Sequence, residues 1–580
     1  MIYSHRFIWI ILPLFQLLYI SCGSEKPKKE LGDFEVVMRI PAEPTGLNSI
    51  VNRDAMKSII LPYIMYQPLS IDFEQLKLFP LLAHSLPEVE TMADSSVKIT
   101  LELRPEARWD NGSMITAEDV AFSLKLCLLP DIQNAAIKPG FQHLKSFITY
   151  PDAPQKYSLV FSKPYFLAPV LAGDFAIYPA YIYDTLSILK QFSIEQVISG
   201  DPLLQSDSAL VQFSGAFNSA LFTHQIVAGC GPYRLKEWQS GKRIILERKK
   251  NWWGDELEGS SVFFEAYPAR IIFEIIKEES TAIQALKQKK IDGMASVDFK
   301  TFALTLAKDS ALTAHYHFYS PEMLAFEYMG LNSRRPMLQD LAVRRAILHA
   351  VSVEDIIATL MYGLGSRVHS YVSSARPEEL NTALHNPKFD IAYAAQILDS
   401  AGWVDRNGDG IREKKIGNKE TALRLQLLIN SDNERREKTA LMLQSNLREA
   451  GIDVSIKTLE MNAYVDALMR NDFDLVLTGI VSSAIETDPF QLWHSASKGG
   501  NFTGFGNTYS DSLIMAFRNE MSPHKRIEIS KQIQAEIHAY HSVLFLNNMH
   551  ERIVFSKKFK NLTLSKQRPG FWLGSVLPAE

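Results

Sequence analysis

The chain has 580 residues, 46% of them hydrophobic and 22% charged, with a net charge of −4. That length exceeds what one hydrophobic core supports and implies two or three lobes. The near-neutral, slightly acidic balance gives no support for nucleic-acid binding, and beyond an apolar run at the N-terminus no stretch approaches membrane-spanning length. No fixed-period repeat or low-complexity tract stands out.

The N-terminal run, Phe7 to Ile20, is preceded by Arg6 and broken only by Pro13 and Gln16. It falls short of the roughly 20 residues a bilayer span needs and fits a secretory signal core. Ser21-Cys22-Gly23 follow, then the charged, Pro-containing segment Ser24 to Glu30, which reads as a solvated tether. The arrangement resembles a bacterial lipoprotein signal, in which a small residue precedes the Cys that is lipidated and becomes the mature N-terminus. Tyr19 departs from that pattern, since an aliphatic residue usually stands three before the Cys. The resemblance implies a signal peptide over 1–21, a lipid on Cys22 and a tether over 22–33. An uncleaved signal anchor and ordinary cleavage are the alternatives.

Strand and helix signals then alternate. Phe34 to Ile40 is an apolar strand, followed by a Pro/Gly loop and an amphipathic stretch from Ala55 to Tyr66. Val97 to Arg104 alternates with period two and can pair with Tyr157 to Phe161 as an antiparallel ribbon. Arg243 to Lys249 and Arg270 to Ile276 are further strands, the second leading into a helix that Ser280 or Thr281 can cap. From Ala422 the order is strand, long amphipathic helix (Asn433 to Gly451), strand, helix, strand (Phe473 to Ile480), the pattern of a mostly parallel sheet with helical cover. Such sheets bind ligands beyond the carboxyl ends of their strands. Gly479 to Pro489 leaves one of those ends.

Five motifs in order resemble the family-5 extracellular solute-binding proteins of ABC importers, the group of oligopeptide and dipeptide receptors. They are Trp109 to Leu124 (WDNGSMITAEDVAFSL), Gly229 to Trp238 (GCGPYRLKEW), Arg248 to Gly254 (RKKNWWG), Asp340 to Val351 (DLAVRRAILHAV) and Ala394 to Ile411 (AAQILDSAGWVDRNGDGI). On physical grounds Thr116 caps a helix with acidic residues in its first turn, and the glycines around Pro232 suit a close backbone approach. Trp252 and Trp253 read as core anchors, and the Arg344-Arg345 pair as solvated or salt-bridged.

The resemblance implies an α/β, two-lobed periplasmic-binding-protein fold of class II with an extra N-terminal subdomain. The first lobe then takes 34–66, 67–225 (with the subdomain), 226–277 and 506–580, and the second lobe 278–505. It implies a monomeric, non-enzymatic receptor, lipid-anchored in the periplasm or cell envelope, that hands a small solute to ABC permease and ATPase subunits, without cofactor. A peptide is the first candidate solute. The alternatives are a nickel or other metal chelate, haem, an oligosaccharide, or an extracytoplasmic hydrolase role.

In peptide-binding members an Asp four residues before the Pro of a D/E-P turn receives the peptide's amine. Here the turn is Asp488-Pro489 and Ile485 holds that place, in a loop about two residues longer. Ser482, Ser483 or Glu486 can stand in, and of these only Glu486 supplies charge. Leu477 occupies a position that is often Arg in such receptors. Glu43, Tyr328, Asp488, Trp493 and Asn501 complete the expected cleft lining, and His494 can reach a metal complex. Cys127 and Cys230 leave open a disulfide or two separate buried thiols. Asp405 to Gly410 opens like an EF-hand loop, but its twelfth position is Ile416 where a bidentate Glu should stand, so no metal is expected there. Hydrolase, zinc-protease and P-loop motifs are missing, and His538 with His541 reads as one packed and one surface histidine.

Overall fold

Val36, Met38 and Ile40 are buried along the strand Glu35–Ile40, as the apolar run predicts, because that strand runs through the interior of a seven-stranded sheet. The structure is a computed structural model describing residues 32–579 except 53, 135, 136 and 483; the signal segment, Cys22 and Ser483 lie outside the described residues. The first sheet runs in the order Tyr316–Tyr319, Ile553–Ser556, Gly293–Met294, Glu35–Ile40, Arg270–Ile275, Arg243–Arg248, Tyr233–Gln239. Only the pairs that Glu35–Ile40 makes with Arg270–Ile275 and Gly293–Met294 are parallel.

The second sheet has six strands, ordered Gly365–Arg367, Val543–His550, Glu322–Leu331, Leu475–Val481, Arg424–Asn430, Asp453–Leu459. Its parallel part is the βαβαβ run read from the sequence, with helices Glu434–Glu449 and Met461–Met469 as crossovers. Asn433 accepts the Arg436 N–H at 2.9 Å to cap the longer helix, and Gly451 follows its end at φ +83°. A third, antiparallel sheet of four strands pairs Val97–Glu102 with Lys156–Phe161, the predicted ribbon, and its core is continuous with that of the first sheet.

The lobe boundaries differ from those expected. Passage to the second sheet falls between Tyr319 and Glu322, not at 278, and the return lies between His550 and Ile553, not after 505. Helix Glu279–Lys287 buries Ala282 and Leu286 with Met294, Tyr316 and Val554, so it belongs to the first sheet. Helices Thr508–Asn519 and Pro523–Tyr540 bury Ile514, Phe517, Ile533 and Ile537 against Phe326, Tyr328 and Val543 of the second. Apolar periodicity shows that a helix hides one face; it does not say which sheet covers it.

Several local expectations are corrected on the same footing. The amphipathic stretch after residue 55 makes only a short helix, Lys57–Ile60, before a tighter turn containing Pro62, which has no N–H to continue the ladder. Ser280 and Thr281 lie inside the first turn of their helix, whose N-cap is Glu278 with no side-chain cap. Arg344 is buried, donating to the carbonyls of Leu338, Gln339 and Tyr540. Cys127 and Cys230 are separate buried thiols, without a disulfide: one sits on helix Ala117–Leu128, the other in the loop before Tyr233. Burial pushes both thiols up to about 12.

That loop shows why glycine is needed. The Gly231 N–H donates to the Ile64 carbonyl at 2.9 Å, and a Cβ there would stand 2.7 Å from the Tyr63 carbonyl oxygen. Trp252 and Trp253 both donate their indole N–H to the Cys230 carbonyl at 2.8 Å, pinning the loop from the other side. Gly231→Ala is expected to cost about 1–3 kcal/mol, because only backbone atoms are available to move; equilibrium denaturation with the midpoint unshifted would remove this explanation.

Candidate functional site

The two crossings define the place where the lobes meet. Glu551 N–H donates to the Pro321 carbonyl at 2.8 Å, tying the crossings together. Leu324 N–H donates to the Lys566 carbonyl at 2.9 Å, and the Lys566 ammonium meets Glu322 at 2.6 Å. Beside this hinge the second lobe holds a cavity of about 310 Å³, lined among others by Leu324, Arg367, His369, His385, Ser482 and Asn548. Arg367 ends the edge strand Gly365–Arg367 and turns its guanidinium inward. Its Nε and Nη1 are buried without a hydrogen-bond partner, and the nearest carboxylate, exposed Glu354, is 3.8 Å away. Burial lowers its pKa; burial, then Arg367 and His385, lower that of His369. Glu322 on the same wall is already taken by Lys566 and the Asn548 amide. Arg367 therefore presents buried N–H donors that no acceptor in the described residues fills, which suits an anionic group.

The first lobe carries a second cavity of about 280 Å³, walled by Ile59, Phe73, Phe175, Phe263 and Trp572, with Asp174 opening into it. Asp174 accepts one hydrogen bond, from the Gln67 amide at 3.0 Å, and no cation pairs with it among the described residues. Its side chain is exposed to solvent.

Of the residues expected in the cleft, Ser482 lines the second-lobe cavity, its N–H held by the Leu324 carbonyl at 2.8 Å. Glu43 sits in an open groove of the first lobe with Pro44, His224 and Trp238. It accepts from the Trp238 indole at 2.6 Å, the Ser240 hydroxyl at 3.1 Å and Gly241 N–H at 2.9 Å. Burial opposes its charge, but these donors outweigh that and hold it below the usual carboxylate range. Tyr328 and Trp493 are core residues of the second lobe, and Asn501 is a brace whose amide donates to the carbonyls of His494 and Phe505.

Glu486 is not an open counter-ion. Both of its oxygens receive Arg526, at 2.8 and 2.7 Å, and Arg376 stands 3.7 Å away. Asp488 accepts from Arg518 at 2.9 Å and from the Tyr165 hydroxyl at 3.0 Å. Tyr165 belongs to the first lobe, so this is a contact between lobes. Phe166 beside it is buried against Phe517, and its N–H donates to the Arg518 carbonyl at 3.0 Å. Arg518 lies over the rings of both Tyr165 and Phe490. The D-P turn thus works as a clasp between lobes, which the sequence could not reveal because Tyr165 is 323 residues away.

The Asp405 turn brings Asp405, Asp409 and Glu413 within 4.8 Å of one another. Glu413, the ninth position of the loop, was not singled out in the sequence. Hydrogen bonds within the turn account for the cluster: Asp405 accepts from Gly408 and Gly410, and Glu413 from Arg406 N–H and the Asn407 amide.

One outcome follows from these geometries. Arg518→Ala leaves the Asp488 carboxylate half-buried without its cation and is expected to shift the balance towards the open form by about 2 kcal/mol; an unchanged scattering radius in the ligand-free variant would refute the clasp.

Residues 77–502 match the family model described as bacterial extracellular solute-binding proteins, family 5 (middle). The oligopeptide-binding protein AppA of Bacillus subtilis is 25% identical over 535 residues, covering 89% of this chain and 86% of that one. Its structure, in complex with a nonapeptide, superposes with a TM-score of 0.69 at 21% identity over 95% of this chain and all of that one. NikA of Brucella suis in complex with Fe(III)-EDTA superposes at 0.74, 21% identical, over 94% of this chain and all of that one. The lobes, the hinge crossings and the family match agree: this chain belongs to the family-5 bacterial extracellular solute-binding proteins.

Proposed function

We propose that this protein is a lipid-anchored receptor, held at Cys22 in the periplasm or cell envelope, that closes on a peptide and delivers it to ABC permease and ATPase subunits, acting as a monomer and performing no chemistry itself. The observation that supports a peptide is the strand Leu475–Val481. Its ladder to Glu322–Leu331 continues to Val481, whereas its ladder to Arg424–Asn430 stops at Val476. The far half therefore keeps one edge without a strand partner, and Gly479 and Val481 are exposed, Val481 at 58%. Ser482 donates its N–H to Leu324, so by strand alternation the Val481 N–H faces the open edge. An extended peptide can add there as a further strand, with backbone hydrogen bonds supplying sequence-independent affinity. Arg367 nearby, with Nε and Nη1 buried and without hydrogen-bond acceptors, supplies a partner for a carboxylate.

An anionic metal chelate is the second reading, favoured by Arg367, His369 and His385 on one wall; the solved relative NikA is in complex with Fe(III)-EDTA.

Native mass spectrometry of the purified full chain, followed by thermal shift with peptides, sugars and metal chelates, separates these readings. A peptide should raise the melting temperature and contract the scattering envelope, with affinity near micromolar, about −8 kcal/mol. Val481→Pro should weaken peptide binding about tenfold through loss of one open-edge N–H. Chelate binding without peptide binding would replace the peptide reading, and no contraction with any solute would end the receptor account. Cys22→Ala should abolish palmitate labelling and release the protein from membranes.

A further inference from the structure

We propose that the first-lobe cavity is a specificity pocket for a hydroxyl-bearing aromatic side chain of the solute, the phenol of a tyrosine, with the Gln567 amide meeting its hydroxyl. The inference rests on the peptide reading above and names one side chain of that peptide.

Phe73, Phe175, Phe263 and Trp572 are buried rings that wall the cavity, and they are fixed from outside it. The Phe73 carbonyl accepts from the Ser565 hydroxyl at 2.5 Å, and the Phe263 carbonyl accepts from the Tyr66 hydroxyl. Trp572 stacks on Tyr63 with ring centroids 4.2 Å apart and meets Phe263 edge to face at 5.5 Å. Walls held at these points make the space pre-formed, so an entering ring demands little reorganisation. Gln567 lines the same cavity, and its Oε1 is buried without a hydrogen-bond donor. Other polar side chains on the wall are engaged: the Lys57 ammonium donates to the carbonyls of Ser49 and Asn52, and the Gln67 amide to Asp174. Gln567 also follows Lys566, which bonds to Glu322 and to Leu324 N–H of the second lobe, and both of those residues line the second-lobe cavity. The two cavities therefore flank one ion pair at the hinge.

A benzene ring fits an apolar cavity of ~150 Å³. The volume here, about 280 Å³, takes a ring, its hydroxyl and the first methylene of a side chain. Enclosing the ring removes its apolar surface from water and adds edge-to-face contacts with the walls. A buried amide oxygen without a donor is costly, so a ring with a hydroxyl at its tip is favoured over the same ring without one. A phenol donates that hydrogen bond while staying neutral at physiological pH, so no charge has to be desolvated.

The test uses the full chain and alanine tripeptides carrying Tyr or Phe at each place in turn, with tri-alanine and p-cresol alongside, titrated calorimetrically. In the parent the best Tyr peptide should bind about tenfold tighter than its Phe counterpart and about a hundredfold tighter than tri-alanine. Gln567→Leu, which keeps the volume, should erase the preference for Tyr over Phe. Ile59→Trp, which fills the space, should erase the preference for either ring over alanine. Folding of each variant is read from its ligand-free melting temperature. Equal binding of Tyr, Phe and alanine peptides to the parent overturns the inference and leaves the peptide receptor standing. A Tyr-over-Phe preference that survives Gln567→Leu, or a ring preference that survives Ile59→Trp, overturns it as well. Binding of p-cresol that is lost in both variants, with no peptide bound by the parent, supports the pocket and rejects the peptide reading. Failure of every probe to bind the parent overturns the inference.

Discussion

Hydrophobic cores that belong almost wholly to one lobe or the other, joined by two short crossings, are the constraint on which everything else depends. The first sheet and its antiparallel subdomain share one core, the second sheet and its helices form others, and the backbone passes between them only at 319–322 and 550–553 among the described residues. Motion between the lobes is thereby confined to a few crossing residues and the contacts that bridge the gap, Phe166 against Phe517 among them. Polar groups facing the gap are then the natural means of holding a solute, since neither core has to be disturbed to expose them.

Charge is distributed across that gap in a consistent way. Glu327, deep in the second sheet, is opposed by burial, but Arg435 and Arg436 outweigh it and keep its carboxyl below the usual range. Glu486 and Asp488 are closed by Arg526 and Arg518, and Glu322 by Lys566. These pairs fix loops and lobes relative to one another. Arg367 is the contrast: it faces a cavity with Nε and Nη1 buried and unfilled, and only the exposed Glu354 stands beside it, 3.8 Å away. A buried group without a partner costs several kcal/mol in principle, and a solute that supplies the missing partner recovers much of it. Recognition and closure are therefore assigned to different residues.

Much of the fold was legible in the sequence because its signals are local. Period-two alternation in Val97 to Arg104, the strand–helix order after Ala422 and the capping box at Thr116 each depend on residues a few positions apart, and each is found in the structure. The family motifs were legible for the same reason, as was the glycine-dependent approach before Tyr233. Glu486 and Trp493 show where that reading stops. A carboxylate in a loop looks the same whether it faces a ligand or an arginine 40 residues on, and a tryptophan beside a loop looks the same whether it lines a cleft or fills a core.

The sequence by itself determined that the chain has alternating strands and helices, more than one lobe, and the motifs of a solute-binding family, because those properties follow from periodicity, length and short-range spacing. Tertiary structure alone decided which sheet each helix covers, where the chain crosses, that Cys127 and Cys230 stay apart, and which charges are left open. Those outcomes depend on contacts between residues tens to hundreds of positions apart, such as Tyr165 with Asp488. Burial and pairing are properties of the packed molecule, and no local pattern of residue types encodes them.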